Sequence, residues 1–301
     1  MEKKYDILIA GGDRRLSYLA EILKKHGFSV LCFGTETENS GTAESRNKDN
    51  DPLQRKTLGE AIACASYFCG GIPFVRGDMV QGDAPWFPMK LSDFYPQVQG
   101  IKTLFGGGIP KETVEYCRQC GISCVDFMEN ESFVVDNAVL TCEGVIAEAQ
   151  KEKPYALHGK CALVLGYGRC GKILAEKLKN WPMRVTVCAR DPVQRSYAEA
   201  FGMESVSFEK LPDILPKQEY IFNTIPYPVL GKRELEAIRS DTVILDLASG
   251  EGCVSRDLLS ERKIRIRSLP GLPGRYAPAQ AAEKMAELIE QNIGRKGWDE
   301  G

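Results

Sequence analysis

Short apolar runs alternate along the chain with stretches in which apolar residues recur every three or four positions. YDILIA (5–10) is the first run and reads as a strand. Arg14 to His26 follows, with Leu16, Leu19, Ile22 and Leu23 at helical spacing and Gly27 as its stop. FSVLCF (28–33), ASYFCG (65–70), IKTLF (101–105), ISCVDF (122–127), CALVLG (161–166), RVTVCAR (184–190), YIFNTIP (220–226) and TVILDLASG (242–250) read as further strands. Helices are predicted near 57–64, over 110–120 with Pro110 in the first turn, over roughly 130–152, and over 278–292. The last carries Ala281, Ala282, Met285, Leu288 and Ile289 on one side. This alternation predicts an α/β fold with mainly parallel, doubly wound sheets. Residues 34–57 are polar and turn-rich and read as a surface loop. Residues 70–89 read as a long loop, a length often tied to function.

A chain of 301 residues suits two domains. The expected division is an N-terminal α/β substrate domain (1–130), a linking helix (131–152), a Rossmann dinucleotide-binding domain (153–270), and a C-terminal segment (271–301). That last segment is expected to pack back across an interdomain cleft.

The charges nearly cancel, 39 Lys and Arg against 41 Asp and Glu. Such a balance argues against nucleic acid or a membrane surface as partner and favours a small molecule. No apolar run is long enough to span a bilayer, and MEKKYDILIAGG does not read as a signal peptide. A cytoplasmic protein is expected. The 11 cysteines then read as free thiols. Cys117 and Cys120 have metal-site spacing in YCRQCGISC, close to Cys124, but no second such pair completes a ligand set, so no metal is expected. His26 and His158 are the only histidines, and both fit structural places, so histidine acid–base catalysis is disfavoured.

The clearest chemistry lies in ALVLGYGRCGKILAEKL. Gly166, Tyr167, Gly168, Arg169, Cys170 and Gly171 form GxGxxG between an apolar strand and an amphipathic helix, the context that a dinucleotide site requires. Gly166 would make the tight turn, Gly168 would admit the pyrophosphate, and Gly171 would let helix and strand pack closely. The next strand ends at Ala189 and Arg190, with Arg195 one helical turn on. Arginines there suit the 2′-phosphate of NADP better than the ribose hydroxyl of NAD. Asp191 opposes that choice unless it caps the next helix ahead of Pro192. Asn223, Thr224, Ile225 and Pro226 end one later strand, and Asp246, Ala248 and Ser249 another, at the strand ends where such sheets bind ligands. For Asp246 a structural role stays open.

The first half carries IAGGDRRLSYLAEIL, which imitates the nucleotide turn but lacks its third glycine. Asp13 would repel a pyrophosphate, while the helix start with Arg14 and Arg15 suits a carboxylate. FGGGIP (105–110) and GLPGRYAP (271–278) offer two more helix starts. Three such termini would suit an acid with more than one carboxylate.

IAGGDRR, CEGVIAEA (142–149), LVLGYGRCG, VCAR, FNTIP, ILDLAS and PGLPGRYAPAQAA follow in the order found in the dipicolinate synthase A family, which the chain resembles over most of its length. The resemblance implies a Rossmann NADP domain beside an N-terminal α/β domain. It implies synthesis of pyridine-2,6-dicarboxylate in the mother cell of a sporulating bacterium, on a branch of the lysine and diaminopimelate pathway, together with a flavoprotein-like partner, dipicolinate synthase B. Dehydration of a hydroxy-tetrahydrodipicolinate would give dihydrodipicolinate, and its oxidation the aromatic product. Carried over from the family, Asp13, Arg15, Thr141, Glu143, Gly274 and Pro278 would line the cleft, with Gly12 and Gly107 in the substrate turns. Asp13 and Glu143 are the candidate bases, and Arg15 is favoured over Arg14 as the arginine facing substrate. A homo-oligomer is expected.

Two rival dehydrogenase readings meet obstacles. A 2-hydroxyacid dehydrogenase needs a histidine late in the cofactor domain, and none follows His158. A shikimate-type enzyme needs a Lys–Asp pair in the first domain, for which no segment matches. A non-enzymatic NADP-binding regulator would leave the glycine turns of the first half unexplained.

Overall fold

The computed structural model describes residues 4–35, 57–82, 88–248, 250–259 and 265–294. Most of the expected 34–57 loop, and Ser249, lie outside these residues. The chain separates into two compact units, residues 1–136 with 277–301, and residues 137–276.

The first unit runs β1 (Tyr5–Ala10), α1 (Arg14–Lys25), β2 (Val30–Phe33), α2 (Leu58–Ala63), β3 (Ala65–Cys69), β4 (Val75–Arg76), β5 (Met79–Val80), β6 (Met89–Lys90), α3 (Leu91–Phe94), β7 (Thr103–Gly106), α4 (Lys111–Gln119) and β8 (Ser123–Asp126). Its sheet is ordered β2-β1-β3-β7-β8, and every pair in it is parallel. Both faces are covered, so alternate residues of β1 enter different cores. Leu8 and Ala10 join α2 and α3, whereas Ile7 and Ile9 join Leu16, Leu19 and Leu23 of α1. The expected 70–89 loop contains β4 and β5 and leads to β6, which pair as a small antiparallel sheet. Strands of two residues leave no readable alternation.

Helix α5 (Glu131–Glu152) starts in the first unit and continues into the second. There follow β9 (Cys161–Leu165), α6 (Arg169–Asn180), β10 (Arg184–Cys188), α7 (Pro192–Ala200), β11 (Glu204–Val206), α8 (Leu211–Ile214), β12 (Tyr220–Asn223), α9 (Lys232–Ala237), β13 (Val243–Asp246), α10 (Arg256–Leu259), β14 (Arg265–Ser268) and α11 (Leu272–Tyr276). The sheet order β11-β10-β9-β12-β13-β14, all parallel, is that of a Rossmann fold. Ala162 and Val164 face α5, α6 and α7, while Leu163 and Leu165 face Leu211, Leu230 and Leu235. The final helix, α12 (Pro278–Ile293), belongs to the first unit and buries Ala282, Met285, Ala286 and Ile289 with α1.

Candidate functional site

The turn after β9 is built for close backbone approach. Gly166 has φ +95°, and a Cβ there would lie 2.6 Å from the Thr224 hydroxyl oxygen. A Cβ on Gly171, in the first turn of α6, would overlap the Gly166 carbonyl oxygen. Gly168 caps α6 and has open space where its Cβ would point. The outer glycines thus serve the turn, and the middle one leaves room at the N-terminus of α6. This cradle fits a dinucleotide pyrophosphate. Tyr167 is buried, which pushes its hydroxyl pKa up, and Lys172 lies over its ring. Arg169 is exposed at the helix start, while the half-buried Cys170 turns its Sγ to within 3.9 Å of Cys142 Sγ on α5.

At the end of β10, Arg190 is exposed. Arg195 folds back, its Nη1 donating at 2.8 Å to the carbonyls of both Ala189 and Arg190. Asp191 is an N-cap, its Oδ1 accepting the Val193 N–H at 2.9 Å. Its carboxylate is therefore engaged with α7. Asn223 is fully buried and donates at 2.9 Å to Ile225 O and to Asp246 Oδ1. Thr224 donates its hydroxyl to Leu165 O. Asp246 also accepts the N–H of Ala248 at 3.1 Å and of Cys253 at 2.8 Å. It is a structural latch joining two strand ends to the loop beyond. Ala248 is half-buried and Pro226 exposed beside this latch.

In the first unit, Asp13 caps α1, accepting the Arg15 backbone N–H at 3.0 Å. Its carboxylate also takes the Arg15 guanidinium, at 2.9 Å from Nε and 2.7 Å from Nη2. Arg15 is only 3% exposed and donates in addition to the Ile72 carbonyl. The arginine that reaches solvent is Arg14. Arg15, favoured by the resemblance as the one facing substrate, is drawn inward to hold Asp13, whose side chain stays 40% exposed. Gly12, at φ +78°, packs against Gly71, and Gly107 donates its N–H to Gly71 O at 3.1 Å. The FGGGIP turn holds a carboxylate of the protein's own. Asp126 accepts the N–H groups of Gly108 at 2.9 Å, Ile109 at 2.7 Å and Met128 at 2.8 Å. Those first two donors, which the sequence offers to a ligand, are already engaged.

In the second unit, Thr141 donates its hydroxyl to Asn137 O at 2.8 Å, within its own helix. Glu143 is exposed and pairs with Lys177 of α6 at 2.9 Å. A Cβ on Gly144 would lie 3.0 Å from both Leu272 Cβ and Tyr276 Cδ2, so α11 rests on the backbone of α5. Gly274 is buried within α11. Buried Glu148 secures this contact, accepting from Arg275 Nη2 at 2.7 Å and from the Tyr276 hydroxyl. The Tyr276 hydrogen bond leads in holding the Glu148 carboxyl below its ordinary pKa, against the effect of burial. Sequence reasoning missed this latch and Asp126. A carboxylate inside the apolar run GVIAEA was the available signal for Glu148. Pro278 is buried at the start of α12 in the first unit.

His26 pairs with Glu290 of α12, the structural role expected for it. Cys117 exchanges its thiol hydrogen bond with Cys124, while Cys120 caps the end of α4. Among the described residues no group of three or more His, Cys, Asp or Glu side chains is placed to hold a metal.

Residues 6–128 match the N-terminal domain of dipicolinate synthase A, and residues 134–265 match the NAD-binding domain of D-isomer specific 2-hydroxyacid dehydrogenases. The likeness is to dipicolinate synthase A. The resemblance seen in the motifs and the α/β fold expected from them are both borne out. Dipicolinate synthase A of Bacillus subtilis is 28% identical over 59% of this chain and 60% of its own length. The crystal structure of dipicolinate synthase A from Bacillus halodurans superposes with a TM-score of 0.78 at 21% identity, covering 98% of this chain and 100% of the other. That of Bacillus subtilis gives 0.75 at 23% identity, covering 98% and 97%. At these identities the structures show the fold alone. The second unit carries a dehydrogenase-type nucleotide domain, which supports a nicotinamide cofactor.

Proposed function

We propose that the chain is an NADP-dependent oxidoreductase with the role of dipicolinate synthase A, oxidising dihydrodipicolinate, formed from 4-hydroxy-tetrahydrodipicolinate, to pyridine-2,6-dicarboxylate. The observation that carries this reading is the open cradle at Gly168. It sits in a dehydrogenase-type domain, in a chain whose residues 6–128 match the N-terminal domain of dipicolinate synthase A. A bound nicotinamide would supply hydride acceptance, and aromatisation of the ring would supply much of the driving force. The chain's own contribution is then chiefly to bind and orient a small dianion, which accounts for the absence of a histidine base. Asp13, fixed by buried Arg15, and Glu143, paired with Lys177, are the proposed bases. Exposed Arg190 favours NADP, since Asp191 is spent as a helix cap. Arg195 supports that position by holding the strand-end carbonyls. The reading includes the flavoprotein-like dipicolinate synthase B as partner, a homo-oligomer, and a place in the cytoplasm of a sporulating mother cell.

The test is spectrophotometric. Purified protein receives NADP⁺ and the product of dihydrodipicolinate synthase, with and without the flavoprotein-like partner. Ultraviolet absorbance of dipicolinate, rising together with NADPH, is the expected result. No dipicolinate signal from protein that demonstrably binds NADPH would overturn the assignment.

A further inference from the structure

Two cysteines of the second unit meet beside the dinucleotide turn. Cys142 lies in α5 and is fully buried. Cys170 is the second residue of α6 and is half-buried. Their sulfurs are 3.9 Å apart, and the Cys142 thiol also donates to the Cys170 carbonyl at 3.6 Å. The proposed reaction uses neither sulfur. Cys142 belongs to the apolar core of the second unit, and Cys170 packs against that core.

We propose that Cys142 and Cys170 form a dithiol site that a hydroperoxide oxidises to a disulfide. The Cys170 thiolate attacks the peroxide, so that an S–O bond forms and the O–O bond breaks. The departing hydroxide takes up a proton as water. Cys142 sulfur then attacks Cys170 sulfur, an S–S bond forms, the S–O bond breaks, and the Cys142 proton leaves with the second hydroxide as water. Two thiols lose two electrons, and hydrogen peroxide becomes two waters. Cys170 is the attacking partner because it sits at a helix N-terminus and is the more accessible. The hydrogen bond from Cys142 lowers the pKa of the Cys170 thiol. The same hydrogen bond, together with burial, raises that of Cys142.

Bond formation acts on a residue that adjoins the cradle. A disulfide needs sulfurs about 2.05 Å apart, so the pair closes by roughly 2 Å. Gly171 follows directly and is packed against the Gly166 carbonyl, leaving no slack in the turn. Further along, α6 is tied to α5 by the 2.9 Å Lys177–Glu143 pair. Any backbone share of that closure falls on the first turn of α6 and would reorient the N–H groups that face the open space at Gly168. Oxidation weakens nucleotide binding, and bound nucleotide slows oxidation. This coupling rests on the reading of that turn as the cofactor site.

The full-length protein is treated with hydrogen peroxide, digested without reductant and examined by mass spectrometry, in parallel with NADPH titrations before oxidation, after it, and after dithiothreitol. A linked peptide containing Cys142 and Cys170 is expected, with NADPH binding weakened about tenfold or more and restored by the reductant. In Cys142→Ser the linked peptide disappears, and dimedone traps Cys170 as its sulfenic acid. Failure of the linked peptide to form in protein that binds NADPH overturns the proposal. A linked peptide with unchanged affinity overturns the coupling. A linked peptide in protein that never binds NADPH supports the dithiol site and removes the cofactor reading instead.

Discussion

Replacing Gly168 by alanine separates the nucleotide site from the fold that carries it. Gly168 has φ −78° and ψ −163°, an extended conformation open to any residue, and no heavy atom lies within 4 Å of its Cβ position. In the unliganded protein the methyl group meets nothing. Alanine is a poorer helix cap than glycine by about 0.5–1 kcal/mol. It also restricts the unfolded chain, which stabilises by about 0.4–1 kcal/mol. The two effects offset, so thermal stability should change little. Nucleotide binding should not be spared, because the methyl group takes the space through which a phosphate reaches the N–H groups of α6. Losing one charge-assisted hydrogen bond costs about 1.5–3 kcal/mol, or roughly tenfold to a hundredfold in Kd. Titration of NADPH by fluorescence, alongside a thermal melt, reads both quantities. An unchanged Kd would refute the assignment of the cradle. A fall in affinity accompanied by a large fall in Tm would refute the claim that Gly168 is free of the fold. Gly171→Ala is the contrast, since its Cβ overlaps the Gly166 carbonyl, and it should cost about 1–3 kcal/mol of stability as well.

Arg190→Ala should weaken NADP binding by about tenfold or more while leaving NAD nearly unchanged; equal losses for the two nucleotides would reject the 2′-phosphate role. Asp126→Ala removes the shared acceptor of three backbone N–H groups and should cost about 2–4 kcal/mol by denaturant unfolding, with Asp126→Asn recovering part of the loss. A cost under about 0.5 kcal/mol would show that water satisfies the turn equally well. The folded-state pKa of Glu148 lies below its ordinary 4.5, so its stabilising contribution is complete above that value and is lost as pH falls through the folded pKa. Melting curves from pH 6 to pH 3 should therefore show the wild-type advantage over Glu148→Gln shrinking toward acid; an advantage independent of pH would mean that the carboxylate charge is irrelevant to the latch.

The paired sheets were legible because their strands are apolar on both faces and alternate with amphipathic helices. Strands β11 and β14 were not. Glu204–Val206 and Arg265–Ser268 are short edge strands with polar residues, so burial leaves no mark on them. Two glycines of the nucleotide-like turn meet a local steric demand, Gly166 at a positive φ and Gly171 against the Gly166 carbonyl, which is why that turn stands out in the sequence. The substrate half was harder, since its outcome depends on partners remote in the chain. Arg15 looks solvated beside Arg14 until Ile72 brings its carbonyl alongside. The FGGGIP turn looks like an empty anion site until β8 delivers Asp126. Local pattern shows that a helix terminus wants negative charge, whereas only tertiary structure shows who supplies it.

The placement of α12 sets an order of assembly. Ala282, Met285, Ala286 and Ile289 complete the core around α1, although the whole of the other unit separates them along the chain. During synthesis, the stretch 137–276 is available in full before the residues that close the first unit emerge. The nucleotide-binding unit is therefore the one able to mature first, reversing the N-to-C order usual for tandem domains. Until then, the apolar face of α1 waits on the ribosome for its last partner.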